Sequence, residues 1–122
     1  MKKSYTDLEQ SKKLSEILSL DSADMARCGG ENVIMTDYIS AKKKFSVCGE
    51  LTITPCWSLA ALLDVLPILE RKGYQKAKPR LLYNVAINKW IVDSHIYTTD
   101  AYDNPVDACV DMILLLKEKN LI

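Results

Sequence analysis

The stretch TPCWSLAALLDVLP, residues 54–67, constrains the fold more than any other in the chain. Pro55 cannot donate to a sheet ladder, so a strand entering from the left should stop there. Ser58 fits a helix N-cap, its hydroxyl accepting from an amide two or three residues on. Leu59, Leu62, Leu63 and Leu66 then recur at the spacing of one helical stripe. Trp57 and Leu62 occupy the two ends of a hydrophobic staple. Pro67 kinks or restarts this helix, which the pattern carries to Lys72 with Gly73 as its cap. A Cys-Trp-Ser run that could suggest chemistry is thus explained as strand end, staple and cap.

Similar signals divide the rest of the chain. Thr6 and Glu9 read as a capping box for a helix over about 7–18, with Leu14, Ile17 and Leu18 on its apolar face. Cys28-Gly29-Gly30 reads as a loop. Val33 to Ile39, rich in β-branched and aromatic residues, reads as a strand. Alternation from Lys44 to Ile53 gives a second, leaving SAKKK, residues 40–44, as a hairpin loop. Another hairpin is expected over 81–97, turned at Asn88-Lys89, with Ile87 facing Trp90, Val85 facing Val92 and Leu81 facing Ile96. A closing helix over about 102–120 starts at Asp103 or Asn104, followed by Pro105 and Asp107. The expectation is an α+β domain spanning 1–122, in the order α-β-β-α-β-β-α. Two hairpins would build a sheet of about four strands covered by three helices. Trp57, Leu62, Leu66, Val85, Val92, Ile113 and Leu116 are expected to share one core.

At 122 residues with 48% hydrophobic and 26% charged side chains, the chain is ordinary for a globular protein. Its N-terminus has no apolar run behind its lysines, and no stretch approaches a membrane span, which points to a cytoplasmic protein. Cys28, Cys48, Cys56 and Cys109 lack paired metal-ligand spacing, so reduced thiols are expected and no metal or other cofactor. Asp103, Asp107 and Asp111 read as a solvated face with a favourable first helical turn. The single histidine, His95, has no nucleophile turn beside it. Catalysis is therefore not expected.

Two surfaces remain as candidates. Net charge is zero, yet residues 41–80 hold 8 basic against 3 acidic side chains, a net of +5 offset by the flanks. Lys42, Lys43 and Lys44 form one basic stretch; Arg71, Lys72, Lys76, Lys78 and Arg80 form another. With Tyr38 and Tyr74 nearby, these could hold nucleic acid weakly. Met112, Leu114 and Leu115 widen the apolar stripe of the last helix beyond one face, which makes that helix either central or, through Met112 and Leu115, a self-association surface of a homodimer. The PCWSLAALLDVLP, NKWIV and DNPVDACVDMILLL segments together resemble short proteins of no assigned activity encoded by phages and other mobile elements of gut bacteria. That resemblance implies a small cytoplasmic accessory protein that acts by binding rather than by catalysis, and the expectation here is a protein partner.

Overall fold

The computed structural model describes residues 3–28, 32–45, 53–70, 76–94 and 96–122. It has an α+β fold. The elements are α1 (Leu8–Ser15), a short 3-10 helix (Leu20–Ser22), β1 (Met25–Cys28), β2 (Asn32–Ile34), α2 (Tyr38–Phe45), β3 (Ile53–Cys56), α3 (Leu59–Val65), β4 (Arg80–Asn84), β5 (Lys89–Asp93) and α4 (Pro105–Glu118). They fall into two compact units, Tyr5–Ala61 and the remainder, the division lying within α3. Instead of one sheet of about four strands there are, among the described residues, two, a three-stranded sheet in the order β2-β1-β3 and the hairpin β4-β5.

In the Tyr5–Ala61 unit the central strand is β1, which pairs antiparallel with β2 through Ala26↔Ile34 and with β3 through Ala26↔Pro55. Sequence pattern misses β1 altogether, because four residues containing Ala and Arg carry little strand signal. Its place depends on tertiary contacts. Arg27 is buried, its guanidinium donates to the Thr6 carbonyl and it lies 5.6 Å from the Tyr5 ring centre. Pro55 does not end the strand as expected but sits within β3. β3 is the outer member of the sheet, where a residue without an N–H costs no ladder bond.

Two more elements of this unit differ from expectation. The N-cap of α1 is Asp7, not Thr6, and the capping box closes with Gln10, not Glu9. The Asp7 carboxylate accepts the Gln10 amide at 2.8 Å while Gln10 accepts the Asp7 amide at 3.1 Å. A charged acceptor suits the positive end of the helix. Thr6 is committed to the residue just after β3 instead: its amide donates to the Trp57 carbonyl at 2.9 Å, and its hydroxyl accepts the Trp57 amide at 3.1 Å. The expected strand over 33–39 stops at Ile34, and the lysine run belongs to helix α2 rather than to a hairpin loop. Asp37 accepts the Ser40 amide at 2.9 Å, a capping contact that also holds its carboxyl below the usual range. Tyr38 and Ala41 are buried one turn apart on this helix, and lysine is a good helix former. The alternation expected from 44 to 53 falls largely on residues outside those described.

Ser58 caps α3 as expected, accepting the Ala61 amide at 3.2 Å. Asp24 anchors that cap by accepting from the Ser58 amide at 2.9 Å and from its hydroxyl. The helix ends at Val65, not near Lys72. Beyond Pro67, Leu69 and Ala77 exchange backbone hydrogen bonds of 2.8 and 3.0 Å, an extended arrangement that a proline-restarted helix would not allow.

In the second unit, α4 packs on β5 and β4. Asn104 is its N-cap and accepts the Asp107 amide at 2.9 Å, with Pro105 at the start as expected. Val106, Cys109, Val110, Met112, Ile113 and Leu116 are buried, so the helix is central. The hairpin pairs Tyr83 with Trp90, Leu81 with Val92 and Arg80 with Asp93. This is not the expected register. The turn spans Val85–Asn88 rather than Asn88-Lys89: Asn84 accepts the Ala86 amide at 3.0 Å, and Asn88 takes a positive φ of 52°, which asparagine tolerates better than most residues. Val85 is consequently exposed in the turn and leaves the expected core. Leu62, Leu66, Val92, Ile113 and Leu116 are buried in this unit, and Trp57 is buried in the other.

Candidate functional site

Several of the exposed large apolar side chains gather on the β4-β5 hairpin, while Met35 at 82% and Ile68 at 64% are exposed elsewhere. Val85 is 76% exposed, Ile87 51%, Tyr83 45% and Leu82 37%. The local sequence explains how they come to be there. Asn84 and Asn88 supply the turn chemistry at both ends, which forces the two β-branched residues between them into solvent. Below the turn the Tyr83 and Trp90 rings meet with centres 4.9 Å apart, and the Tyr83 hydroxyl donates to Asn88 at 3.1 Å. The turn is therefore braced from beneath.

Strand β4 is also open along one side. On β5, Trp90 exchanges backbone bonds with Tyr102 at 2.7 and 2.8 Å, and the Val92 carbonyl accepts the Thr99 amide at 3.0 Å. The Val92 amide donates to the Thr99 hydroxyl at 2.9 Å. These groups point away from β4. In an antiparallel ladder, directly opposed residues either bond each other or both face outward. Leu81 and Tyr83, opposite Val92 and Trp90, thus turn their N–H and C=O to the outer side of the hairpin. No strand among the described residues pairs with that side.

The basic candidates are placed differently. Lys42, Lys43 and Lys44 lie along α2, with the Lys42 ammonium 5.7 Å from the Tyr38 ring centre. Lys76 pairs with Glu70 at 3.8 Å, Lys78 donates to the Asp64 carbonyl at 3.1 Å, and Arg80 lies 3.9 Å from Asp93. Arg71 and Lys72 lie outside the described residues, as do Cys48, Tyr74 and His95. Lys76 and Arg80 thus each have a carboxylate beside them, whereas Lys78 contacts a neutral carbonyl. Of the self-association candidates, Met112 is fully buried and Leu115 half-buried.

The carboxylates at the start of α4 have partners of their own. Asp107 pairs with Lys3 at 2.6 Å and accepts from the Asn104 side-chain amide at 2.7 Å. Asp103 pairs with Lys89, and Asp111 accepts the Tyr102 hydroxyl at 2.9 Å. Among the described residues no group of three or more His, Cys, Asp or Glu is placed to hold a metal ion. Burial pushes the Cys109 thiol up to about 12, so at neutral pH it is a protonated packing group rather than a nucleophile. Among the described residues no helix is long and apolar enough to cross a membrane. No family model, curated protein or solved structure matches the chain.

Sequence pattern missed Tyr83, Val85 and Ile87 as a surface because alternation places them with Leu81 on the apolar side of the hairpin, and it gave Leu82, of the opposite parity, no role. The signal that could have found them is the asparagine pair: Asn84 and Asn88, four residues apart, fit the ends of a four-residue turn as well as Asn88-Lys89 fits a two-residue one.

Proposed function

We propose that this chain is a small accessory protein that acts by binding other proteins rather than by catalysis, with the β4-β5 hairpin as its contact face. The observation that carries this reading is the outward display of Val85 and Ile87 on a turn braced by Tyr83 and Trp90. Turns ordinarily carry polar residues, and a contiguous exposed apolar group on a rigid support more often marks an interface than an accident. The exposed Tyr83 adds a rigid aromatic of the kind enriched at binding hot spots.

Panning a displayed library of random peptides on the immobilised protein tests the proposal. The wild type should enrich apolar, extended sequences, and Val85→Glu with Ile87→Glu should weaken their binding at least about tenfold, a loss of about 1.4 kcal/mol. Affinity should change little with salt, because apolar burial does not release counterions. Equal binding to wild type and double variant would overturn the assignment. Binding of short DNA or RNA that falls steeply with salt, with no peptide enriched, would favour instead a weak nucleic-acid binder using the lysines of α2.

A further inference from the structure

We infer that the open side of β4 is a pairing edge for a second copy of this chain, with the two-fold axis passing beside Leu82. The inference rests on the reading of the hairpin as the binding face and names one occupant for its edge. Leu81 and Tyr83 both turn N–H and C=O outward, while Leu82 between them turns its own toward Ile91 of β5. Two outward residues separated by one form a self-complementary set under a two-fold rotation. Leu81 of one copy then exchanges both hydrogen bonds with Tyr83 of the second copy, and Tyr83 does the same with Leu81. All four groups are satisfied at once.

Other registers do worse. The next outward position toward the N-terminus is Pro79, which has no N–H to give. Sliding the pairing in that direction replaces a hydrogen-bonding partner with proline. Sliding it the other way moves Leu81 opposite Val85, which belongs to the turn and not to the strand. The side chains agree with the central register. Leu82, exposed beside the axis, meets Leu82 of the second copy. Arg80 lies opposite Asn84 of the second copy, so no like charges are opposed.

The middle of the edge also lacks the guards that isolated edges carry. Charged residues, prolines or bulges normally blunt an open strand. Here Pro79 and Arg80 stand at its beginning, and Leu81, Leu82 and Tyr83 follow without one. A two-stranded sheet is marginal alone, whereas pairing through β4 makes a continuous four-stranded antiparallel sheet from two hairpins.

Sedimentation equilibrium combined with amide hydrogen exchange on the whole chain tests this. The wild type should dimerise at concentrations of about tens of micromolar or below, and Leu82→Lys, which places a charge beside the axis, should weaken the dimer at least about tenfold. In the dimer the Leu81 and Tyr83 amides should be protected and lose that protection on dilution, whereas the Leu82 amide, bonded within the hairpin, should keep its own. A wild type monomeric at about 100 micromolar would overturn the inference. So would a dimer whose Leu81 and Tyr83 amides exchange freely, or one that folded Leu115→Glu dissolves and Leu82→Lys leaves intact. A monomer that still captures peptides at Val85 and Ile87 would end the self-pairing while leaving the hairpin as a binding face. A β4-paired dimer that binds no peptide would do the reverse.

Discussion

Tyr83 and Trp90 face each other across β4 and β5 with ring centres 4.9 Å apart and planes inclined at 59°. The tilted arrangement sets the positive edge of one ring toward the negative face of the other. Its place is one pair below the turn, so it fixes the hairpin register against slippage. A double-mutant cycle with Tyr83→Leu and Trp90→Leu should return a coupling of about 0.5–1.5 kcal/mol by chemical denaturation. Additive losses would mean that the two rings contribute only by their separate burial.

The same register separates Val85 from the core that alternation assigned to it. Leu62 is fully buried and Val85 is in the turn. Leu62→Ala should cost about 2–5 kcal/mol, through lost burial and the cavity left behind. Val85→Ala should change stability by less than about 0.5 kcal/mol. Comparable losses at both positions would place Val85 back inside.

Why some of this was legible and some was not comes down to the range of the forces involved. Ser58, Asn104 and Pro105 act within one helical turn, and their local chemistry predicts the starts of α3 and α4 correctly. The parity of the hairpin survived because Tyr83, Trp90, Leu81 and Val92 share a face in the expected register and in the observed one. The turn did not, since two asparagine placements compete and only packing below the turn decides between them. Strand β1 was invisible for another reason: Arg27 is buried through the Thr6 carbonyl and the Tyr5 ring, partners twenty or so residues away. In α2, strand propensity at its beginning misled, because the Asp37 cap and the buried Tyr38 and Ala41 outweigh it. The open edge of β4 could be recognised only after the register was known, since the direction of each amide follows from which residues oppose each other.

Lys3 and Asp107 join residues 104 positions apart, and both are about three-quarters buried at their side chains. Asp107 lies in the first turn of α4, where negative charge is favoured by the helix, and the lysine satisfies it from the other side. Lys3→Met should therefore cost about 1 kcal/mol at low salt. The loss should shrink as ionic strength rises and screens the pair. Asn104→Ala removes the neighbouring cap and should cost about 1 kcal/mol with little salt dependence. If Lys3→Met were neutral at every salt concentration, the ion pair would contribute nothing to the stability of this unit.

Tyr102 gives the fold a dependence on alkaline pH. Burial, and then the hydrogen bond its hydroxyl donates to Asp111 together with that carboxylate's charge, push its ionisation up to about 12. The folded chain holds this proton more tightly than the unfolded chain, whose tyrosines ionise near 10. The contribution is therefore whole below about pH 10 and is lost as the pH climbs from about 10 to about 12. The stability difference between wild type and Tyr102→Phe should narrow over that window. The ultraviolet difference titration of the two proteins should show one phenol with a midpoint of about 12 when folded and near 10 in denaturant. A midpoint near 10 in both states would mean that neither burial nor Asp111 acts on this hydroxyl, and that the contact at 2.9 Å is not kept in solution.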